Sequence, residues 1–180
     1  MVANLFGDFI KGKDYTYLPL IVQKGVLLHR QIDDYIDHHP LVTQLRLKLY
    51  KSLPKIAGIA IDLYFDHLLA KNWSKFSSHQ LNDFIDGFTF YALQYENLVF
   101  SGEDFVYPEH FQTLIKTMVE HNFLKRYKYL EGLTMASTGL SKRISFENNL
   151  NEATEVFVSN EKEITTVFYQ FMEDAINHFK

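Results

Sequence analysis

The chain contains no cysteine. That excludes disulfides, zinc–thiolate sites and thiol nucleophiles, so any metal must sit on histidine and carboxylate ligands. Glycine and proline are scarce, 8 and 4 in 180 residues, which leaves long stretches free of helix breakers. No apolar run reaches the roughly 18 residues needed to span a bilayer. Basic charge is not in excess. The net charge of -4 argues against a general nucleic-acid binder, so neither nucleic acid nor membrane is an expected partner. Met1 to Gly12 lacks a basic head followed by an apolar run and a cleavage site, and a cytoplasmic protein is the expectation.

What is present is apolar and helical. Hydrophobic residues make up 47% and aromatics 16%, enough for a real core. The length suits one domain. Nothing alternates apolar and polar for long enough to demand a strand. The spacing predicts helices over Asn4–Lys11, Leu18–His38, Leu41–Ser52 and Lys55–Asn72, with Pro40 and Pro54 as stops. Ser78 is a candidate cap for a helix from about His79 to Phe100. Ser101–Tyr107 reads as a loop, and Pro108 suits the first turn of a helix to about Glu120. Asn122–Glu131 reads as a continuation ended by Gly132. Helices over Leu133–Ile144, Phe146–Val158 and Glu161–Phe179 follow, the last capped by Asn160. The expected architecture is all-α, one compact helical domain without repeats or linkers.

The informative stretch is Gly25-Val26-Leu27-Leu28-His29-Arg30-Gln31-Ile32-Asp33-Asp34-Tyr35-Ile36-Asp37. His29, Asp33 and Asp37 are spaced four apart and form one stripe on a helix. Gly25, one turn before His29, would leave room for an ion or phosphate. Seven residues nearly complete two turns, so His29 points with Ile36 and Asp33 with Val26. The polar stripe is therefore expected inside the apolar face, where charge is costly unless paired or metal-bound. In Ile59-Ala60-Ile61-Asp62-Leu63-Tyr64-Phe65-Asp66-His67 the pattern repeats. Asp62 points with Leu69 and Asp66 with Ile59, so both are expected to face inward. His67 is turned about 100° from Asp66. Asp8, one turn after Asn4 among apolar neighbours, is a third candidate. Such a donor set suits one or two divalent ions, and its carboxylate bias favours manganese or magnesium over zinc. Arg30 could grip a phosphate oxygen, with Arg126 and Arg143 as weaker candidates.

Plainer readings exist for each. The His29 stripe could be a packing seam of partner-satisfied polar residues. Asp8 could cap a helix or face solvent, and Arg30 could pair with Asp33 or Asp34. His38 and His39 read as solvated residues at a helix end. Phe84, Phe88, Phe90, Tyr91 and Tyr95 read as core packing. Lys51, Lys55, Lys71 and Lys75 form no run and read as surface. No serine sits on a nucleophile elbow, and no glycine-rich phosphate loop is present.

Gly7-Asp8-Phe9-Ile10-Lys11-Gly12, Gly25 with Leu28-His29-Arg30-Gln31-Ile32-Asp33, Asp37 and Pro40, then Asp62 with Phe65-Asp66-His67-Leu68-Leu69 and Trp73, resemble the acyl carrier protein phosphodiesterase family. The resemblance is dense over Asn4–Trp73 and thinner through Phe123–Tyr127 and Leu140–Arg143. It implies an HD-like helical fold, a non-standard branch of the HD-type metal phosphohydrolases. It also implies a divalent metal, manganese by preference with magnesium or iron as alternatives. The implied substrate is holo acyl carrier protein, from which 4'-phosphopantetheine is removed. Carried over residue by residue, Asp8, His29, Asp33, Asp66 and His67 are the implied site, with Asp37 and Asp62 behind them. Asp62 would join Asp8, His29, Asp33, Asp66 and His67 as a metal ligand; Asp66, His67 and Arg30 would serve catalysis. The sequence departs from ordinary HD enzymes in having no His-Asp doublet; the matching pair is reversed, Asp66-His67. Family members usually begin with a further segment of about twenty residues carrying an Asn-Tyr/Phe-Leu-Ala-His-like motif. The resemblance thus implies one phosphodiesterase-like domain over 1–180 that lacks that segment. Lys24, Arg30, Lys51 and Lys55 could form a patch for an acidic carrier protein. Two other functions fit the same residues: a phosphohydrolase acting on a nucleotide or small phosphodiester, and a carrier-protein binder without turnover.

Overall fold

The apolar periodicity resolves into helices. The computed structural model describes residues 1–94 and 105–180, and among these no strand occurs. Helix α1 spans Val2–Leu5 and leads into a 3-10 turn at Phe6–Phe9. Helix α2 covers Leu20–His38, α3 Pro40–Leu49, α4 Ala57–Lys71 and α5 Leu81–Leu93. Helices α6 (Glu109–Glu120), α7 (Phe123–Arg126), α8 (Leu130–Ser141) and α9 (Ala153–His178) follow. The all-α expectation holds for the described residues. None of these helices is long and apolar enough to cross a membrane. The predicted extension of α5 beyond residue 94, with Tyr95, and most of the predicted loop lie outside the described residues.

The chain divides into two units. The first comprises Met1–Asp34 and His79–Leu124. Its core is aromatic: Phe6, Tyr107 and Phe111 meet edge to face or tilted at centroid distances of 5.0–5.1 Å, over Val2, Val22, Val26 and Ile115. Such pairs add about 0.5–1.5 kcal/mol each beyond their area burial. Of the predicted core aromatics, Phe88 packs here, but Phe84, Phe90 and Tyr91 are exposed. An apolar pattern alone does not report burial.

The second unit comprises Tyr35–Ser78 and Lys125–Lys180. Helix α4 is its centre. Ala57, Ala60, Ile61, Leu63, Tyr64, Phe65, His67 and Leu68 are all buried, so the helix is covered on nearly every side. The buried Tyr64 hydroxyl donates to the Ala153 carbonyl at 2.7 Å, tying α4 to the start of α9. Phe157, Ile164, Phe168 and Phe171 carry one apolar stripe along α9, about 21 Å of helix.

That stripe explains one difference from the predicted pattern. Asn160 does not cap a new helix; α9 runs straight through it. Its Nδ2 donates to the Val156 carbonyl and Ser159 Oγ to the Glu155 carbonyl, both one turn back. The capping side chains are thus spent inside the helix, and burial of the apolar stripe outweighs their local preference. Gly132 likewise ends nothing. It lies in the first turn of α8, where a Cβ would fall 2.0 Å from the Arg126 carbonyl oxygen. Glycine is there for close approach. His39 also departs from its solvated reading. It is buried, its Nε2 lies 3.3 Å from an Asp174 carboxylate oxygen, and its ring packs edge-on against Phe171.

Candidate functional site

In the first unit, Asp8 and Asp33 converge on His29. Nε2 of His29 lies 3.1 Å from Asp8 Oδ1 and 3.1 Å from Asp33 Oδ2. The ring is mostly covered, at 16% side-chain exposure, whereas the two carboxylates are 65% and 56% exposed. Asp33 arrives by the helical i,i+4 relation that the sequence displays. Asp8 arrives by tertiary contact: the 3-10 turn at Phe6–Phe9 brings it against α2. Gly7 makes that approach possible. A Cβ on Gly7 would sit 2.4 Å from His29 Cγ, so the imidazole occupies the space that any other residue would fill.

Arg30 stabilises the same arrangement from the neighbouring position. Its guanidinium donates to the Gly12 carbonyl at 2.5 Å and the Ile10 carbonyl at 3.4 Å, and it stacks 4.8 Å over the Tyr15 ring. These contacts hold the loop that follows Asp8. Arg30 is thus engaged as a clamp on the backbone. Gly12 in that loop has φ +82°, the left-handed region that favours glycine.

Gly25 has a different task from the one its position suggests. It leaves no room for an ion, because a Cβ there would fall 2.4 Å from Ala3 Cβ and 2.5 Å from the Ala3 carbonyl carbon. The space is taken by α1. Nor is the acidic stripe buried. Helix α2 buries only Val22 and Val26, and Asp33 is exposed although it shares their side. The cover over α2 ends near its middle, so the same helical phase means core at Val26 and solvent at Asp33. Asp37, the third member of the stripe, is exposed and lies 3.5 Å from Arg46 Nη1 of α3.

In the second unit the predicted inward carboxylates are also exposed. Asp62 and Asp66 occupy the one open strip of α4. On a helix buried on nearly every side, the seven-residue rule does not separate an inner face from an outer one. The half-buried Ile59 and Leu69 simply flank the opening. Asp66 combines an exposed side chain with a protein-dense setting, and that desolvation raises its carboxyl from 3.8 to about 6. Asp66 in turn pushes the Tyr127 hydroxyl further up, after burial of that hydroxyl itself.

His67, the other half of the Asp66-His67 pair, turns the opposite way. It is 1% exposed, stands edge-on to Phe157 at 5.2 Å, and its Nδ1 lies 2.7 Å from the Tyr127 carbonyl. A carbonyl only accepts, so Nδ1 carries the proton and Nε2 is the bare nitrogen. That Nε2 is buried and has no hydrogen-bond partner among the described residues. Burial, first of all, lowers the His67 pKa and keeps the ring neutral. Arg126 reaches Met135 Sδ at 3.7 Å, and Arg143 is exposed. Lys24, Lys51 and Lys55 are exposed, Lys24 in the first unit and the other two in the second.

No group of three or more histidine, cysteine, aspartate or glutamate side chains is arranged to hold a metal ion among the described residues. Asp8, His29 and Asp33 have suitable donor chemistry for a hard divalent ion, but Nε2 is turned onto the carboxylates. An ion could enter only by replacing those contacts.

These features define an all-α protein with a histidine–dicarboxylate cluster on one helix and a desolvated carboxyl on another. The pattern of the acyl carrier protein phosphodiesterase family matches residues 1–175, and the chain belongs to that family. The chain is 28% identical over 182 residues to the acyl carrier protein phosphodiesterase of Photorhabdus laumondii, covering 98% of this chain and 88% of that one. It is 26% identical over 170 residues to that of Escherichia coli O6:H1, with 94% and 84% covered. With that of Yersinia enterocolitica it shares 30% over 145 residues, 79% and 70% covered. No solved structure matches the chain.

Proposed function

We propose that this chain hydrolyses the phosphodiester between a carrier-protein serine and 4'-phosphopantetheine. The family match over residues 1–175 carries that reading. The His29 cluster supports it chemically. In the reaction the oxygen of water bonds to phosphorus, and the bond from phosphorus to the serine oxygen breaks. The serine oxygen takes up a proton, giving apo carrier protein and the free phosphorylated arm. Asp8 and Asp33 hold the His29 ring at Nε2 and so gather an imidazole and two carboxylates at one point, a donor set suited to phosphoryl chemistry. Arg30 positions the Asp8 segment. Within the second unit Asp66, with its carboxyl raised to about 6, is able to take or give a proton near neutral pH.

A divalent cation belongs to the proposal, manganese first, with magnesium or iron as alternatives. Asp8, His29 and Asp33 would hold it, and it would supply charge stabilisation at the phosphoryl oxygens. Incubating holo carrier protein with the enzyme and manganese, then weighing the carrier protein, tests both parts. Loss of the arm that a chelator prevents is the expected result. An unchanged mass with manganese, magnesium and iron alike would overturn it.

A second reading is a carrier-protein binder without turnover. What favours it is the closure of the His29 cluster on itself, with no metal-ready group among the described residues. Stable co-elution with holo carrier protein whose mass never changes would select it.

A further inference from the structure

The first unit holds an open pocket of about 620 Å³. That is within the range of small-molecule sites, roughly 300–1,000 Å³. Its walls are Ile21 and Leu28 from α2 with Phe84, Phe88 and Tyr91 from α5. They are apolar, so a charged occupant would lose its hydration without repayment. Polar groups line the pocket as well. Asn4 lines the pocket, and its Nδ2 is buried with no hydrogen-bond partner among the described residues. A buried amide donor without an acceptor is costly, and a ligand carbonyl would recover that cost. Lys24 lies at the exposed rim and offers a positive charge to an anionic end; Asp83, also exposed, shares the rim.

The pocket is tied to the His29 cluster by chain connectivity. Asn4 lies one turn before Asp8, and Gly25 and Leu28 flank the turn that leads to His29. Close contact of Ala3 with Gly25 seals α1 against α2 between them. We propose that this pocket binds the pantetheine portion of the substrate: an uncharged, mostly aliphatic chain whose amide carbonyl accepts from Asn4 Nδ2. The inference deepens the phosphodiesterase reading and rests on it for the identity of the chain. A plain alkyl chain fits the walls but leaves Asn4 unanswered.

Gly87 provides a clean test. It lines the pocket, and a Cβ built on it meets nothing within 4 Å among the described residues. Gly87→Leu therefore adds a side chain where its first carbon has room, and leucine is the better helix former in α5. Calorimetric titration of the full chain with unphosphorylated pantetheine needs no turnover. The expected result is saturable binding, weakened at least tenfold by Gly87→Leu and several-fold by Asn4→Ala, with a melting temperature for Gly87→Leu no lower than that of the parent. No binding, equal binding by all three proteins, or tighter binding of decanoate than of pantetheine would overturn the proposal. The mass assay on holo carrier protein is read separately. Pantetheine binding lost in Gly87→Leu with no arm released by the parent would remove the phosphodiesterase reading and leave the subsite.

Discussion

His29 and His67 both sit on helices with an aspartate close by in sequence, yet the two units use them in opposite ways. In the first unit the ring faces two exposed carboxylates, each 3.1 Å from one nitrogen. In the second the ring is swallowed by the core, anchored on the Tyr127 carbonyl and stacked edge-on to Phe157. The neighbours differ by spacing. Asp33 is one turn from His29 and shares its face; Asp66 is adjacent to His67 and cannot. Helical phase, not closeness in the sequence, decides which carboxylate meets which imidazole.

The comparison breaks most sharply on activity. His29→Ala should lower kcat/KM for arm removal by about 10²-fold or more with only a modest fall in melting temperature, because the carboxylate partners are exposed and only the packing on Gly7 is lost from the interior. A variant that retains full activity would remove the first unit's cluster from the chemistry. His67→Ala should do the reverse and destabilise the fold by about 3 kcal/mol in denaturant titration, through the cavity and the orphaned Tyr127 carbonyl. His67→Asn, which can still donate from Nδ2, should recover part of that. Equal stability of all three proteins would refute the anchoring role.

Asp66 tests the second unit by pH. Its carboxyl is raised from 3.8 to about 6 by desolvation, so the folded protein holds that proton more tightly than the unfolded chain. The resulting stability is full below about pH 4 and is lost as pH rises through about 6. Asp66→Asn cannot ionise and keeps the neutral form throughout. Its melting temperature should match the parent at about pH 4 and exceed it at about pH 7. A constant difference across that range would show that desolvation does not act there. The smallest effect belongs to Asp37. Asp37→Asn should cost under about 1 kcal/mol and leave arm removal intact, since an exposed pair with Arg46 contributes little. A large loss of activity would return Asp37 to the His29 stripe as a working member.

By itself the sequence determined the helical character, the i,i+4 match of His29 with Asp33, and the family likeness of its N-terminal third. These depend on backbone periodicity and on residues within one or two turns, which any chain carries locally. Folding alone decided that Asp8 completes the His29 cluster and that His67 leaves Asp66 for the core. It also decided that Gly7 yields its space to the imidazole while Gly25 yields its own to Ala3. The helix over Ala153–His178 ignores a good capping residue for the same cause. Each of these outcomes turns on which distant surface covers a given side chain. Coverage is set by packing between segments far apart in the chain, and helical phase carries no record of where that cover stops.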